Sequence, residues 1–353
     1  MKNDFTDNEP VMDSIYGVIK ISAFEKRLLN SQEMQRLRGI KQLGFVSLVY
    51  PDAEHSRLAH SIGVCHKAKE MVDIINSNVG TSPRYMRWRN TFASEPASLD
   101  QSSKAITKVE RIIIAAAALL HDLPHSPFSH EIESKDDRKG IPVHDDFENN
   151  PIFFEYLFNI QRSELARVID TYNNLFWEML KNDSKWSAAF SGKSFVDENG
   201  YILIQKNAES AETTGEGFVA WEKDAGEMTK LPVLGAMIFE VLLFDKPNMW
   251  SVPGNDGGKI LPNNEGVVVR VERASGISLR WRPEWTWYRP YRKDIIANTI
   301  CSDLLDYLIR DGKNTGILSS LDLKFFDRMT IMKAYPDATK KLIPLVDLPD
   351  FCE

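Results

Sequence analysis

A mainly α-helical protein carrying a β-containing insertion is the fold class this sequence predicts, and three observations carry it. The run Ile112 to Leu120 is apolar on every side and rich in Ala and Leu, which reads as a buried helix. Leu58, Ile62, Cys65, Met71 and Ile74-Ile75 recur at helical spacing after the loop Tyr50 to Glu54. Between about 185 and 290 the pattern changes, because Tyr201 to Ile204, Gly217 to Trp221 and Gly266 to Val271 are short strand-like runs between Gly, Asn and Pro turns. One helical stretch, Val233 to Phe244, sits among them. At 353 residues and 43% hydrophobic content the chain can bury a sizeable core. The expected division is a first core part over 1–184, an inserted α+β subdomain over 185–290, and the rest of the core over 291–353.

Taken in order, the first helical signal is Asn30 with Glu33 as its reciprocal cap, which puts Gln35 and Arg38 on the outer face of a short helix. The helix running to Ile75 places Lys67, Lys69 and Glu70 on the side away from its apolar stripe, and Arg57 and His60, three apart, share a face. Residues 77–106 are polar, with Arg84, Arg87 and Arg89 around Tyr85, Trp88 and Phe92. They read as a loop, or as a basic flap over phosphates or single-stranded nucleic acid. The apolar helix ending at Leu120 delivers His121 and Asp122 at its C-terminus; Pro124 then halts it and turns His125 through His130 back beside the same spot. Trp281, Trp285, Trp287, Tyr288 and Tyr291 read as packing anchors of the insertion. In the last helix Asp303, Tyr307 and Asp311 recur at i, i+4 and i+8, a polar stripe among Leu304, Leu305, Leu308 and Ile309 that needs an occupant. His55 and His66 read as surface or packing residues.

Composition excludes several classes. A formal net charge of −7 argues against a generic nucleic-acid coat. Three scattered cysteines are what reduced thiols look like. There is no long apolar span, and Met1 to Asp7 is polar and acidic, so no membrane association, no secretory leader and a cytoplasmic location are expected.

Two His and two Asp offer the nitrogen and oxygen donors that suit Mn, Fe, Co, Ni, Zn or Mg, and leave positions for water and a phosphate oxygen. Four segments now resemble one family. Asp13-Ser14-Ile15-Tyr16-Gly17, Gln35 through Gly44, Tyr50 through His60, and His121-Asp122-Leu123-Pro124-His125 through His130 resemble, in order, motifs of the HD-domain deoxynucleoside triphosphate triphosphohydrolases. That family includes bacterial dGTP triphosphohydrolases and a vertebrate enzyme that pairs a SAM domain with an HD domain. Ser302 to Tyr307 supplies the final Asp of the ligand order.

The resemblance implies an HD-type helical fold and hydrolysis of dNTPs to deoxynucleoside and triphosphate. It also implies a divalent metal, with manganese among the candidates, on His60, His121, Asp122 and Asp303. His125, His130, Glu133 and His144 would line the phosphate side, with His130 donating a proton to the leaving oxygen. Arg57 would hold phosphate, while Gln42, Tyr307 and Asp311 would face the sugar. Gln35 and Arg38 match effector-binding positions, and a homo-oligomer is expected. Leu304 stands where the vertebrate enzyme has a phosphate-holding Lys, Glu133 where it has Asp, and Asn30 where it has an effector-binding Asp. No counterpart of the family's downstream triphosphate-closing segment follows Gly316. A nuclease or phosphodiesterase acting on single-stranded nucleic acid, and a nucleotide-sensing subunit, are the alternative readings.

Overall fold

Two capping boxes start the helices that frame the molecule. Ser22 accepts from the Glu25 N–H while Glu25 accepts from the Ser22 N–H, opening α1 (Ala23–Leu29). Thr107 and Glu110 do the same for α4 (Lys108–Leu120). Each pair satisfies two N–H groups that a helix start leaves without partners. The computed structural model describes residues 4–78, 106–128, 143–184, 186–190, 194–205, 219–223, 228–243, 250–251, 261–262, 267–272, 277–281, 291–298, 300–317 and 329. Those residues form a mainly α-helical protein with small sheets.

A hairpin of β1 (Asp7–Asp13) and β2 (Gly17–Ser22) leads into α1 and then α2 (Gln32–Gln35). The cap of α2 is Ser31, whose hydroxyl accepts from the Met34 N–H; Asn30 instead closes α1. Glu33 is not the reciprocal cap that the spacing suggested. Its carboxylate accepts from the N–H groups of Glu164 and Leu165 at 2.9 and 3.2 Å, at the start of a later helix, α6 (Glu164–Asn182). The unpaired N–H groups and positive end of that helix attract the carboxylate more than its own short turn does.

Helix α3 (Arg57–Asn78) packs against α4, and both are covered on almost every side. Lys69, expected on a wet face, is 4% exposed and is held by Glu25 at 2.9 Å and Asp7 at 3.1 Å. The hairpin and α1 lie over that side of α3 and supply the carboxylates. Downstream come α5 (Pro151–Phe158), α6 and the short α7 (Ser187–Phe190).

The β-rich stretch holds its expected strands: β3 (Tyr201–Leu203) pairs with β5 (Lys230–Pro232), and β4 (Val219–Lys223), β9 (Ser278–Trp281) and β8 (Val267–Arg270) form an antiparallel sheet in that order. A further short pair joins β6 (Trp250–Ser251) to β7 (Leu261–Pro262). Helix α8 (Val233–Leu243) is buried along its whole length, and Trp281 meets Phe239 edge-on at 5.1 Å, an apolar anchor as the sequence suggested. The chain then returns to the helical core. In α9 (Tyr291–Ile296), Tyr291 and Arg292 both reach the buried Glu110 of α4. Last comes α10 (Ser302–Thr315), which lies against α3. Among the described residues no helix is long and apolar enough to cross a membrane.

Candidate metal centre

Three helices and one turn deliver the site. His60 lies one turn into α3, His121 closes α4, and Asp303 sits in the first turn of α10. Ligand atoms of these three residues all lie within 4.8 Å of one another. Asp122 follows directly, with its Oδ2 3.8 Å from His60 Nε2 and its Oδ1 3.3 Å from His121 Nε2. All four expected ligands therefore converge, although Asp122 also belongs to a second group with His125 and His144.

The tautomers show whether a cation suits this set. His121 Nδ1 lies 2.7 Å from the carbonyl of Ala118, one of the carbonyls a helix end leaves unpaired. A carbonyl can only accept, so Nδ1 carries the proton and the Nε2 of the neutral ring is a bare lone pair. That Nε2 is buried and has no hydrogen-bond partner among the described residues, yet it points at Asp122 and Asp303, 3.3 and 3.6 Å away. Lone pairs and carboxylates facing one another repel unless a proton or cation stands between them. The donor set fits a divalent ion.

His60 repeats the arrangement with a carboxylate behind it. Its Nδ1 lies 2.8 Å from Asp306 Oδ2 and its Nε2 3.0 Å from Asp303 Oδ1. A carboxylate on the far nitrogen orients a metal-binding imidazole and raises its basicity. Burial by itself would push His60 down, but the hydrogen bonds to Asp303 and Asp306 and the charge of Asp122 outweigh it and raise the metal-free ring to about 10. Burial likewise opposes ionisation of Asp122 and Asp303. The facing imidazoles, joined at Asp122 by the Arg57 guanidinium, nevertheless hold both carboxyls below the usual range.

Asp306 is the functional residue that the sequence reading did not single out. It is fully buried, and Arg310 grips both its oxygens at 2.8 and 3.0 Å, then reaches Asp13 at 3.0 Å. Asp13 in turn accepts from the N–H groups of Ile15 and Tyr16. The opening Asp13 to Gly17 segment is thereby tied to the metal cluster through α10. Room for Asp306 comes from Gly63 on α3, where an added Cβ would lie 1.9 Å from Asp306 Oδ1. The available signal was a second Asp three residues after Asp303, and an Arg four further on, in an otherwise apolar helix.

Other candidates fall into three sets. Of the residues expected to line the phosphate, His125 is almost fully buried, lies 3.4 Å from Asp122 through Nε2 and stacks on His144 at 3.6 Å between ring centroids. Arg36 fixes that turn by donating to the carbonyls of Leu123 and His125. His130 and Glu133 lie outside the described residues, as do Arg84, Arg87 and Arg89. Arg57, expected on phosphate, places Nη1 2.5 Å from Asp122 Oδ2 and Nη2 3.5 Å from the Gln42 carbonyl. Of the residues expected to face the sugar, Asp311 bonds His55 at 2.7 Å, so His55, read as a surface or packing histidine, is tied to α10. Tyr307 is half-buried on α10 between Asp303 and Asp311. At the positions expected to bind an effector, Arg38 Nε donates to Gln35 Oε1 at 3.1 Å and Gln35 Nε2 donates to the Leu29 carbonyl at 2.7 Å.

Comparison with known proteins agrees with this geometry. Residues 57–211 match the HD domain family, a span that contains His60, His121 and Asp122. That span is less than half of the chain, and over it the chain is similar to HD-domain proteins. Among its relatives is a deoxynucleoside triphosphate triphosphohydrolase SAMHD1 homolog of Dictyostelium discoideum, 34% identical over 130 residues, or 37% of this chain and 21% of that protein. The deoxynucleoside triphosphate triphosphohydrolase SAMHD1 of Danio rerio is 35% identical over 131 residues, 37% of this chain and 18% of its own. An uncharacterized Bacillus subtilis protein, YwfO, is 41% identical over 106 residues, 30% of this chain and 19% of that one. The chain spans from 16% to 28% of the length of such curated relatives.

Proposed function

We propose that this metal-dependent phosphohydrolase acts on deoxynucleoside triphosphates, releasing the deoxynucleoside and intact triphosphate. The observation that carries the chemistry is the convergence of metal-binding atoms of His60, His121 and Asp303 beside Asp122. These residues would hold a divalent ion, which when bound would supply Lewis acidity at a phosphoryl oxygen and a water nucleophile near neutral pH. In this reading His60, His121, Asp122 and Asp303 are the ligands. Arg57 orients Asp122, from a pairing distance of 2.5 Å, and lends positive charge to the phosphate side. His125 and His144 line the path of the phosphate, and His130 with Glu133 handles the proton that the leaving 5′ oxygen needs. Gln42, Tyr307 and Asp311 meet the sugar, and Gln35 with Arg38 remains the candidate effector contact.

Support for a dNTP comes from relatives named as deoxynucleoside triphosphate triphosphohydrolases, together with the polar stripe that continues from Asp303 to Asp311 on one helix. The division at 184 and 290 into a core and an inserted subdomain, and assembly into a homo-oligomer, belong to the same proposal. To test it, protein loaded with Mn, Fe, Co, Ni, Zn or Mg is incubated with each dNTP, the matching ribonucleotides and single-stranded DNA, and the products are identified. Intact triphosphate from a dNTP supports the reading. Mononucleotides from single-stranded DNA without triphosphate from any dNTP overturn it in favour of a nuclease.

A further inference from the structure

Two phenylalanines stand outside the core, while every other described phenylalanine is buried. Phe45 and Phe128 are each 48% exposed, yet their rings lie face to face, 4.7 Å between centroids and 13° from parallel. Every other contact between Phe, Tyr or Trp rings among the described residues is edge-on or tilted. Edge-on contacts close a core from several directions. A parallel, half-exposed pair instead leaves flat apolar surface open to solvent, where large exposed apolar groups mark a binding surface when they cluster.

Phe128 reaches this contact at a cost to its backbone. Its φ of 67° is the only positive value at a residue other than glycine among the described residues, and a bulky side chain is disfavoured there. A half-exposed ring returns little burial for that strain. Both rings also hang from groups tied to Asp122. Phe45 follows Gln42 by three residues, and the Gln42 carbonyl accepts from Arg57 Nη2 at 3.5 Å while Arg57 Nη1 holds Asp122. Phe128 follows His125 by three residues, and His125 Nε2 lies 3.4 Å from Asp122 Oδ1. Three residues reach at most about 11 Å, which keeps the ring pair within about a nucleotide's length of the metal cluster. A flat aromatic face at that remove suits a nucleobase, since every base has a π-face to stack on it.

We propose that the Phe45–Phe128 pair is a stacking platform for the base of a nucleotide whose phosphates lie at the metal cluster. The inference rests on the proposed function for the ligand's being a nucleotide, and adds a base contact to a reading that otherwise reaches only phosphate and sugar.

The test uses the full metal-loaded chain and an analogue of dATP in which a methylene replaces the 5′ oxygen, so that the bond cut in the proposed reaction is absent. Titration calorimetry compares this analogue with inorganic triphosphate for the natural protein, Phe45→Ala, Phe45→Trp and Phe128→Gly. Phe45→Ala should weaken the nucleotide roughly 10-fold and leave inorganic triphosphate unchanged. Phe45→Trp, which keeps an aromatic face, should restore nucleotide binding. Phe128→Gly should weaken the nucleotide as Phe45→Ala does while its melting temperature holds or rises, because glycine adopts a positive φ without strain, and it covers the case in which Phe45→Ala fails to fold. Equal weakening of nucleotide and inorganic triphosphate means that the rings are merely structural, and overturns the platform, as does a nucleotide affinity indifferent to both rings. Loss of a dimer in sedimentation with nucleotide affinity unchanged assigns the face to a contact between copies of the chain, and overturns it too. Ring-dependent nucleotide binding without triphosphate release in the product assay overturns the proposed reaction and leaves the platform standing. Triphosphate release with binding indifferent to the rings does the reverse.

Discussion

His60 and His125 flank the same carboxylate, Asp122, and each is about 1% exposed, yet they are held by different means. His60 has a carboxylate at each ring nitrogen, and one of these is braced by Arg310 and then Asp13. His125 stands in a turn outside any helix, with its ring against His144 and its backbone carbonyl on Arg36. One half is fixed by side chains locked between helices, the other by a guanidinium gripping main-chain atoms. Metal ligands tolerate little displacement, so the braced half suits them. Groups that follow a substrate through its reaction can sit on a turn, provided something holds its backbone.

The largest effect expected from breaking this arrangement is at the shared residue. Asp122→Ala should remove bound metal and reduce turnover to background while circular dichroism stays helical. Full metal stoichiometry with normal turnover would end the ligand assignment. Next in size, Asp306→Asn should weaken metal affinity by roughly 10- to 100-fold, because a neutral amide neither fixes the His60 tautomer nor supports its basicity as a carboxylate does. Metal titration checks this, and an affinity equal to the natural protein's would mean that Asp306 only packs.

Arg36→Ala sharpens the comparison from the other side. It should lower kcat by about 10-fold with metal content unchanged, since the turn carrying His125 loosens while the braced half stays intact. Loss of metal in that variant would show that the halves are not separable.

The smallest effect is a pH dependence confined to metal-free protein. With its folded value raised to about 10, protonated His60 stabilises the fold fully below its unfolded value, about 6.5, and that contribution is lost as pH rises through about 10. Thermal melts should therefore show the metal-free chain losing stability across this window, and His60→Gln losing less. Metal binding near neutral pH should also release protons, measurable as a buffer-dependent calorimetric heat. Identical heats in buffers of different ionisation enthalpy would contradict the assignment.

Much of this was readable in the residues. Pro124 after an apolar helix placed the His121-Asp122 turn, strand signals at Tyr201, Val219 and Val267 held, and the four metal-ligand candidates meet as their order suggested. Local patterns record which element a residue joins. They are silent on which distant element lies across from it. Lys69 looks like any solvated lysine until α1 and the hairpin bring Glu25 and Asp7 over it. Glu33 forms a plausible local cap, but the start of α6, more than 130 positions on, claims it. His55 and Asp311 are 256 positions apart, and only the packing of α10 beside the Lys41–Ser56 bridge joins them.

Gly63 carries a consequence for how such a sequence can drift. Its missing side chain is the space that the Asp306 carboxylate fills, so the two positions share one small volume across α3 and α10. A chain that gave up metal would admit Ala, the better helix former, at Gly63 only if Arg310 moved along with Asp306, because an added Cβ would also lie 2.5 Å from Arg310 Nη2. Finding Gly and Asp retained as a pair in a divergent copy would therefore mark a chain still under selection for the metal cluster, even where its substrate-facing residues had all changed.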